Sequence, residues 1–423
     1  MKKFLIIIFI ALFFSCSNDR NPFSPSYEKS FFNEQLLPYL GKKNCSITFM
    51  LYLNGANNLE TASVYDFYYE LSTASLLSKN KEITVIVLYD RISGEADYDD
   101  WTGTRLYKIT KFGLERLGNI IINGVKLQST GDNEDLDMSD YKTLQDFVKY
   151  AMLNYPADFY ILDIWNHGDG WRTLQDFNLP KITKGISWDE ESGSEKYLRV
   201  YEVRQALENV GKKIDIIYFD ACLMQMVEVA YELRNVTDYI VASENLVPGY
   251  GANYIDVFEK IRKIENNSSF NIALALFNSY KEQYNYKEET CFSIVETKNI
   301  NQLISAINIF ATNLTNKSYT IISNARKNTT SLAYTNNGHY YYADLYSFAK
   351  NISSVNGAID VMNSIQNLVK ANYYYAMNEA YGLSIYFPDI PNIVETDYTN
   401  YNYGLSFLKD CNWRNFIKWY KNR

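Results

Sequence analysis

The sequence predicts an α/β protein, a three-layer α/β/α sandwich whose central sheet is largely parallel. Two observations carry this. Short apolar runs rich in β-branched and aromatic residues recur at 47–53, 83–89, 159–165, 214–220 and 239–243, each closed by polar or glycine residues. Between them lie stretches with helical spacing, such as Tyr141, Leu144, Val148 and Ala151, or Val200, Val203, Ala206, Leu207 and Val210, or Met226, Val227, Ala230 and Leu233. Strands alternating with amphipathic helices require crossover connections, and those cover both faces of a sheet.

In chain order, Lys2 and Lys3 precede an unbroken apolar run from Phe4 to Phe14, followed by Ser15 and Cys16. A membrane-spanning helix needs about 20 apolar residues, so residues 1–15 read as an export signal. Cys16 resembles the lipidated cysteine of bacterial lipoproteins, with Phe13 where such signals usually carry leucine. Residues 16–44, polar and interrupted by prolines 22, 25 and 38, read as a tether. Residues 45–255 hold the five apolar runs and form the expected catalytic domain. From 256 to 423 helical spacing continues near 255–264, 270–286, 298–313 and 358–370, with strand-like runs at 291–296 and 381–388. This C-terminal α/β region is expected to pack on the first. Its tyrosine-rich stretches "HYYYADLY" and "NYYYAMNEAY" fit a composition rich in Asn, Lys, Ile and Tyr better than a ligand surface.

Composition excludes several classes. A hydrophobic content of 47% places the chain among globular proteins. The net charge of −8, with no long basic run, argues against a nucleic-acid partner. Among five cysteines there is no C-x-x-C pair, so a structural zinc site is not expected, and an exported chain could pair two of Cys45, Cys222, Cys291 and Cys411 in ways the sequence leaves open.

Two strand ends carry chemistry. "FYILDIW" runs into Asn166, His167 and Gly168, and "IDIIYF" runs into Asp220, Ala221 and Cys222, with "LMQMVEVAYEL" expected to start a helix at once. An unperturbed thiol is only a few per cent ionised at neutral pH. A helix N-terminus and a neighbouring imidazole can activate it, and the N–H groups of Gly168 and Cys222 can meet a developing oxyanion. Residues two apart on an extended segment share a side, which puts Asp220 and Cys222 in one cleft.

Blander readings stand beside each of these. A lone histidine at a strand end is usually structural, a buried cysteine is usually a small hydrophobe, and Asp220 could simply cap a helix. His339 has no comparable context. Asp169 beside His167 finds no further metal ligands. The acidic run at 130–140 lacks the glycine and terminal glutamate of an EF-hand loop and reads as a helix entry.

Taken together, the two strand ends resemble the clostripain-like cysteine peptidases, relatives of the caspases and gingipains, in which a hydrophobic block ends in His-Gly and a later one in Asp-x-Cys. Further likeness lies in "YLNGANNLE" (52–60), residues 143–171, "KGISWDE" (184–190) and "SENLVPGYG" (243–251). The resemblance implies a caspase-like sheet, His167 as general base and Cys222 as the nucleophile forming a thioester. It makes Asp220 the acid of a pocket for Arg or Lys before the scissile bond, with Asn54 nearby. Gly251, Ala252, Asn253 and Tyr254 depart from the Gly-Trp-Pro-Tyr of many relatives, which puts basic specificity in more doubt than catalysis. It also implies self-cleavage between the catalytic strands, for which Lys181 and Lys184 are the candidate sites. No cofactor is required for this chemistry, and calcium dependence rests on resemblance alone, with no ligands identifiable.

The expectation is therefore an exported, lipid-anchored cysteine endopeptidase, periplasmic or at the cell surface, acting on protein or peptide substrates and held at the membrane by its N-terminal lipid. The alternative is a catalytically silent lipoprotein that keeps a caspase-like fold for binding. An acyl transferase using the same dyad remains a third reading, because the thioester is common to both.

Overall fold

Ser46–Gly55 (β1) is buried along almost its whole length, which fits a strand covered on both faces. The computed structural model describes residues 46–73, 82–92, 101–110, 112–131, 135–171, 185–192, 196–249, 251–334, 338–400 and 402–423. After β1 come Glu82–Arg91 (β2), Gly103–Thr110 (β3), Gly113–Arg116 (β4), Ile120–Ile122 (β5) and Val125–Leu127 (β6). Phe159–Trp165 (β7), Ile186–Asp189 (β8), Lys196–Leu198 (β9), Ile214–Asp220 (β10) and Thr237–Ala242 (β11) follow. Thr290–Glu296 (β12), Ser331–Tyr334 (β13), Tyr340–Asp344 (β14), Val369–Tyr375 (β15) and Ser384–Tyr386 (β16) complete the series.

Nine strands form one sheet in the order β15-β12-β11-β10-β7-β1-β2-β3-β4. Its centre, from β11 to β2, is parallel, and both margins are antiparallel. The sheet is thus mixed but mostly parallel, with helices on both faces. Strands β3 to β6 had no counterpart in the sequence pattern, because β4, β5 and β6 are short and β3 interleaves polar, partly buried residues with its apolar ones.

Chain order reverses beside β1. The chain moves from β1 to β2 on one side, then crosses to β7 and continues outward through β10 and β11. Such a switch point opens a crevice at the carboxyl ends of the strands. Alternation sorts the two faces: Phe49 meets Tyr254 and Phe258, whereas Tyr52 meets Phe147. The helix Tyr254–Lys263 therefore covers one side and Tyr141–Asn154 the other.

The late part of the chain continues the same sheet through β12 and β15, and β13, β14 and β16 form a second, three-stranded sheet. Ser384 bridges to Met226 in parallel fashion. Buried carboxylates hold this contact. Glu228 accepts from the Tyr386 N–H (2.9 Å) and the Tyr398 O–H (2.7 Å), Glu232 from the Ser406 N–H (2.8 Å), and Glu244 from the Gly382 N–H (2.8 Å). Among the described residues, no helix is long and apolar enough to cross a membrane.

Candidate active site

Strands β7 and β10 are parallel neighbours in which Trp165 pairs with Asp220. Continuing that register sets Asn166 beside Ala221 and His167 beside Cys222. Adjacent strands lie about 4.8 Å apart, so the sequence's imidazole and thiol positions meet at the same sheet end. The contact is tight. A Cβ on Gly168 would fall 2.3 Å from the Cys222 carbonyl oxygen and 3.1 Å from its nitrogen. Glycine is thus required by backbone approach as well as by any room left for an oxyanion. The Asp169 N–H donates to the Gly185 carbonyl (3.0 Å), while among the described residues the Gly168 N–H meets no acceptor.

One expectation about Cys222 is corrected. It does not stand at a helix N-terminus, because the helix begins only at Val227. Leu223 adopts a left-handed φ of 62°, and the N–H groups of Leu223 and Gln225 donate to the carbonyls of Asn245 and Ser243. Those backbone bonds hold residues 222–226 out of the helix. The electrostatic help comes from elsewhere: the Val247 N–H points at Cys222 Sγ at 3.3 Å, a donor that favours a negative sulfur. Cys222 is buried, as are the free thiols of Cys291 and Cys411.

His167 is held from several directions. Asn166 donates to the Asn54 carbonyl (2.6 Å) and accepts from the Trp188 N–H (3.0 Å), fixing the turn that presents the imidazole. The ring lies 6.1 Å from that of Trp188, and its Nε2 is 2.6 Å from Asn58 Oδ1. Burial pushes its pKa down to about 3. The imidazole is therefore neutral at physiological pH, the form a general base needs.

Beside this pair lies a small open cleft lined by Leu59, Ala62, Trp165, Asp220, Val247 and Pro248, among others. Asp220 sits in its wall, and its Oδ2 accepts the Ala252 N–H at 2.8 Å. The departure at 251–254 therefore shapes this pocket directly. Two positions deeper on the same face, Asp163 accepts from Tyr254 O–H at 2.9 Å, and burial, reinforced by Asp220, holds its carboxyl well above the usual range.

Asn54 departs from the expectation. It is fully buried and does not line the cleft, because its amide donates to Ser187 Oγ and the Trp188 carbonyl and its Oδ1 accepts the Ala56 N–H. It braces the turn after β1. Sequence reasoning missed Asn58 and Val247 as individuals, although both lie in the stretches 52–60 and 243–251 that carried the resemblance. Cys16, Lys181 and Lys184 lie outside the described residues. Among the described residues no group of three or more His, Cys, Asp or Glu is arranged to hold a metal ion, so the calcium expectation finds no ligand set there.

The family model described as the clostripain family, peptidase C11, matches residues 51–420. Clostripain of Hathewaya histolytica is 33% identical over 238 residues, 52% of this chain and 43% of that protein, so the chain matches less than half the length of this relative. Among solved structures, a secreted C11 cysteine protease from Bacteroides thetaiotaomicron in complex with an irreversible peptide inhibitor aligns with a TM-score of 0.65 at 20% identity, covering 88% of this chain and 99% of that one. An inactive zymogen C11 protease from Parabacteroides distasonis aligns at 0.62 and 17%, covering 90% and 99%. At such identities these structures speak for the fold.

Proposed function

The chain belongs to the clostripain family, and from that premise we propose that it is a cysteine endopeptidase cleaving after arginine or lysine. In the reduced protein His167 takes the Cys222 proton as sulfur attacks the peptide carbonyl. The oxyanion forms near the N–H groups of Gly168 and Cys222. The carbon–nitrogen bond then breaks, His167 returns the proton to the departing amine, and a thioester remains. Water, deprotonated by His167, attacks that thioester and releases the acid and the thiol. General base catalysis of this kind contributes about 10²- to 10⁴-fold, and oxyanion donors add to it.

The observation that carries this reading is the close approach of Gly168 to Cys222 just beyond the paired strand ends Trp165 and Asp220, which brings His167 and Cys222 to one place. Basic specificity is supported by Asp220 in the wall of a cleft next to Ala221. A cationic side chain entering there gains a charge-assisted contact.

The remaining assignments rest on the sequence. Residues 45–255 carry the chemistry and 256–423 pack on them; the chain is exported, lipidated at Cys16, and cut by itself near Lys181 or Lys184. The test is hydrolysis of short peptide amides ending in arginine, lysine or aspartate by residues 17–423 under reducing conditions, beside Cys222→Ala. Turnover after arginine or lysine that vanishes in the variant supports the proposal, and no Cys222-dependent turnover shifts it to the binding lipoprotein. One intact chain in mass spectra of the fully active protein overturns self-cleavage.

A further inference from the structure

We propose that Asn58 is the positioning residue of the dyad, its side-chain carbonyl fixing His167 as the tautomer with hydrogen on Nε2 and a lone pair on Nδ1. The inference rests on the reading of His167 as general base. A carbonyl oxygen only accepts, so the 2.6 Å contact between Oδ1 and Nε2 requires the proton to sit on Nε2. A neutral imidazole has one N–H, which leaves Nδ1 to receive the Cys222 proton and later return it to the leaving amine. Burial supports that neutrality, since it holds the imidazole pKa near 3.

Asn58 itself is exposed, yet its backbone is tightly held. Asn57 donates to the Trp188 carbonyl at 2.7 Å and accepts the Leu59 N–H at 2.9 Å, and the Glu190 N–H donates to the Ala56 carbonyl at 2.9 Å. The turn is therefore clamped between the end of β1 and the β8 segment. A rigid turn can hold a single acceptor on a single ring nitrogen. An amide does so without fixed charge, so the imidazolium formed during turnover is not held back from giving up its proton.

The test uses the reduced protein and its variants Asn58→Ala, Asn58→Ser and Asn58→Asp. Asn58→Ala is expected to lower kcat by about 10- to 100-fold, with KM and the melting temperature nearly unchanged because the side chain is exposed; Asn58→Ser repeats the measurement should the alanine variant fold poorly. Asn58→Asp, which can only accept, is expected to restore most of kcat and to move the acid limb of the kcat/KM profile upward by about one pH unit, since a nearby carboxylate favours the imidazolium. A purely structural role would not move that limb. Unchanged kcat in the alanine and serine variants, or an aspartate variant no better than alanine, overturns the proposal. His167→Ala and Cys222→Ala separate the two failures. If either keeps turnover, the dyad reading falls; if both are silent while the Asn58 variants act normally, only the role of Asn58 falls.

Discussion

Gly168 lies so close to Cys222 that a single added methyl group would come within 2.3 Å of the Cys222 carbonyl oxygen. The neighbouring atoms are the Cys222 backbone and the Ala221 Cβ, none of which can rotate away. Gly168→Ala is expected to push the two strand ends apart, lowering kcat at least about 100-fold and costing about 1–3 kcal/mol of stability. Steady-state kinetics beside a denaturant melt reads both. Normal kcat would show that the close approach has no catalytic consequence.

The buried position of Asp220 bears on specificity. Asp220→Asn keeps the shape and an acceptor for the Ala252 N–H while removing the charge. For arginine or lysine substrates kcat/KM is expected to fall by about 10²- to 10³-fold, the size of losing one partner of a desolvated ion pair. Substrates with a neutral residue at that position should change little. An equal loss on both classes would assign Asp220 to support rather than selection.

Glu228 predicts a pH-dependent stability. Burial raises its pKa from 4.5 to about 7 in the folded protein. The native state therefore keeps a proton that the unfolded chain loses, and stability declines as pH rises from about 4.5 to 7, then levels. For one fully buried group this amounts to roughly 3 kcal/mol. Glu228→Gln cannot titrate, so its unfolding free energy should gain about 2–3 kcal/mol relative to the native protein across that window. Parallel stability curves would remove Glu228 from the account. His167 works in the opposite direction, its neutral burial weakening the fold as pH falls below about 6.5 toward 3.

The parallel core was legible because each central strand is apolar along its length, a local property that needs no partner to recognise. The two catalytic candidates were legible because strand ends and glycines are local too, and the order His-Gly then Asp-x-Cys carried the family likeness. What the sequence left undecided were contacts between distant segments. It placed a helix directly after Cys222, because Leu223 to Met226 have helical composition, whereas the N–H groups of Leu223 and Gln225 are taken by the distant carbonyls of Asn245 and Ser243. It placed Asn54 near the pocket and overlooked Asn58, four residues on, because Ser187 and Trp188 of β8 draw Asn54 inward while Asn58 stays exposed and reaches His167. The sequence by itself determined the kind of sheet and the chemistry available at its end. Only the tertiary structure decided which donor faces the sulfur and which asparagine meets His167, because hydrogen bonds reach across strands that sequence distance keeps apart.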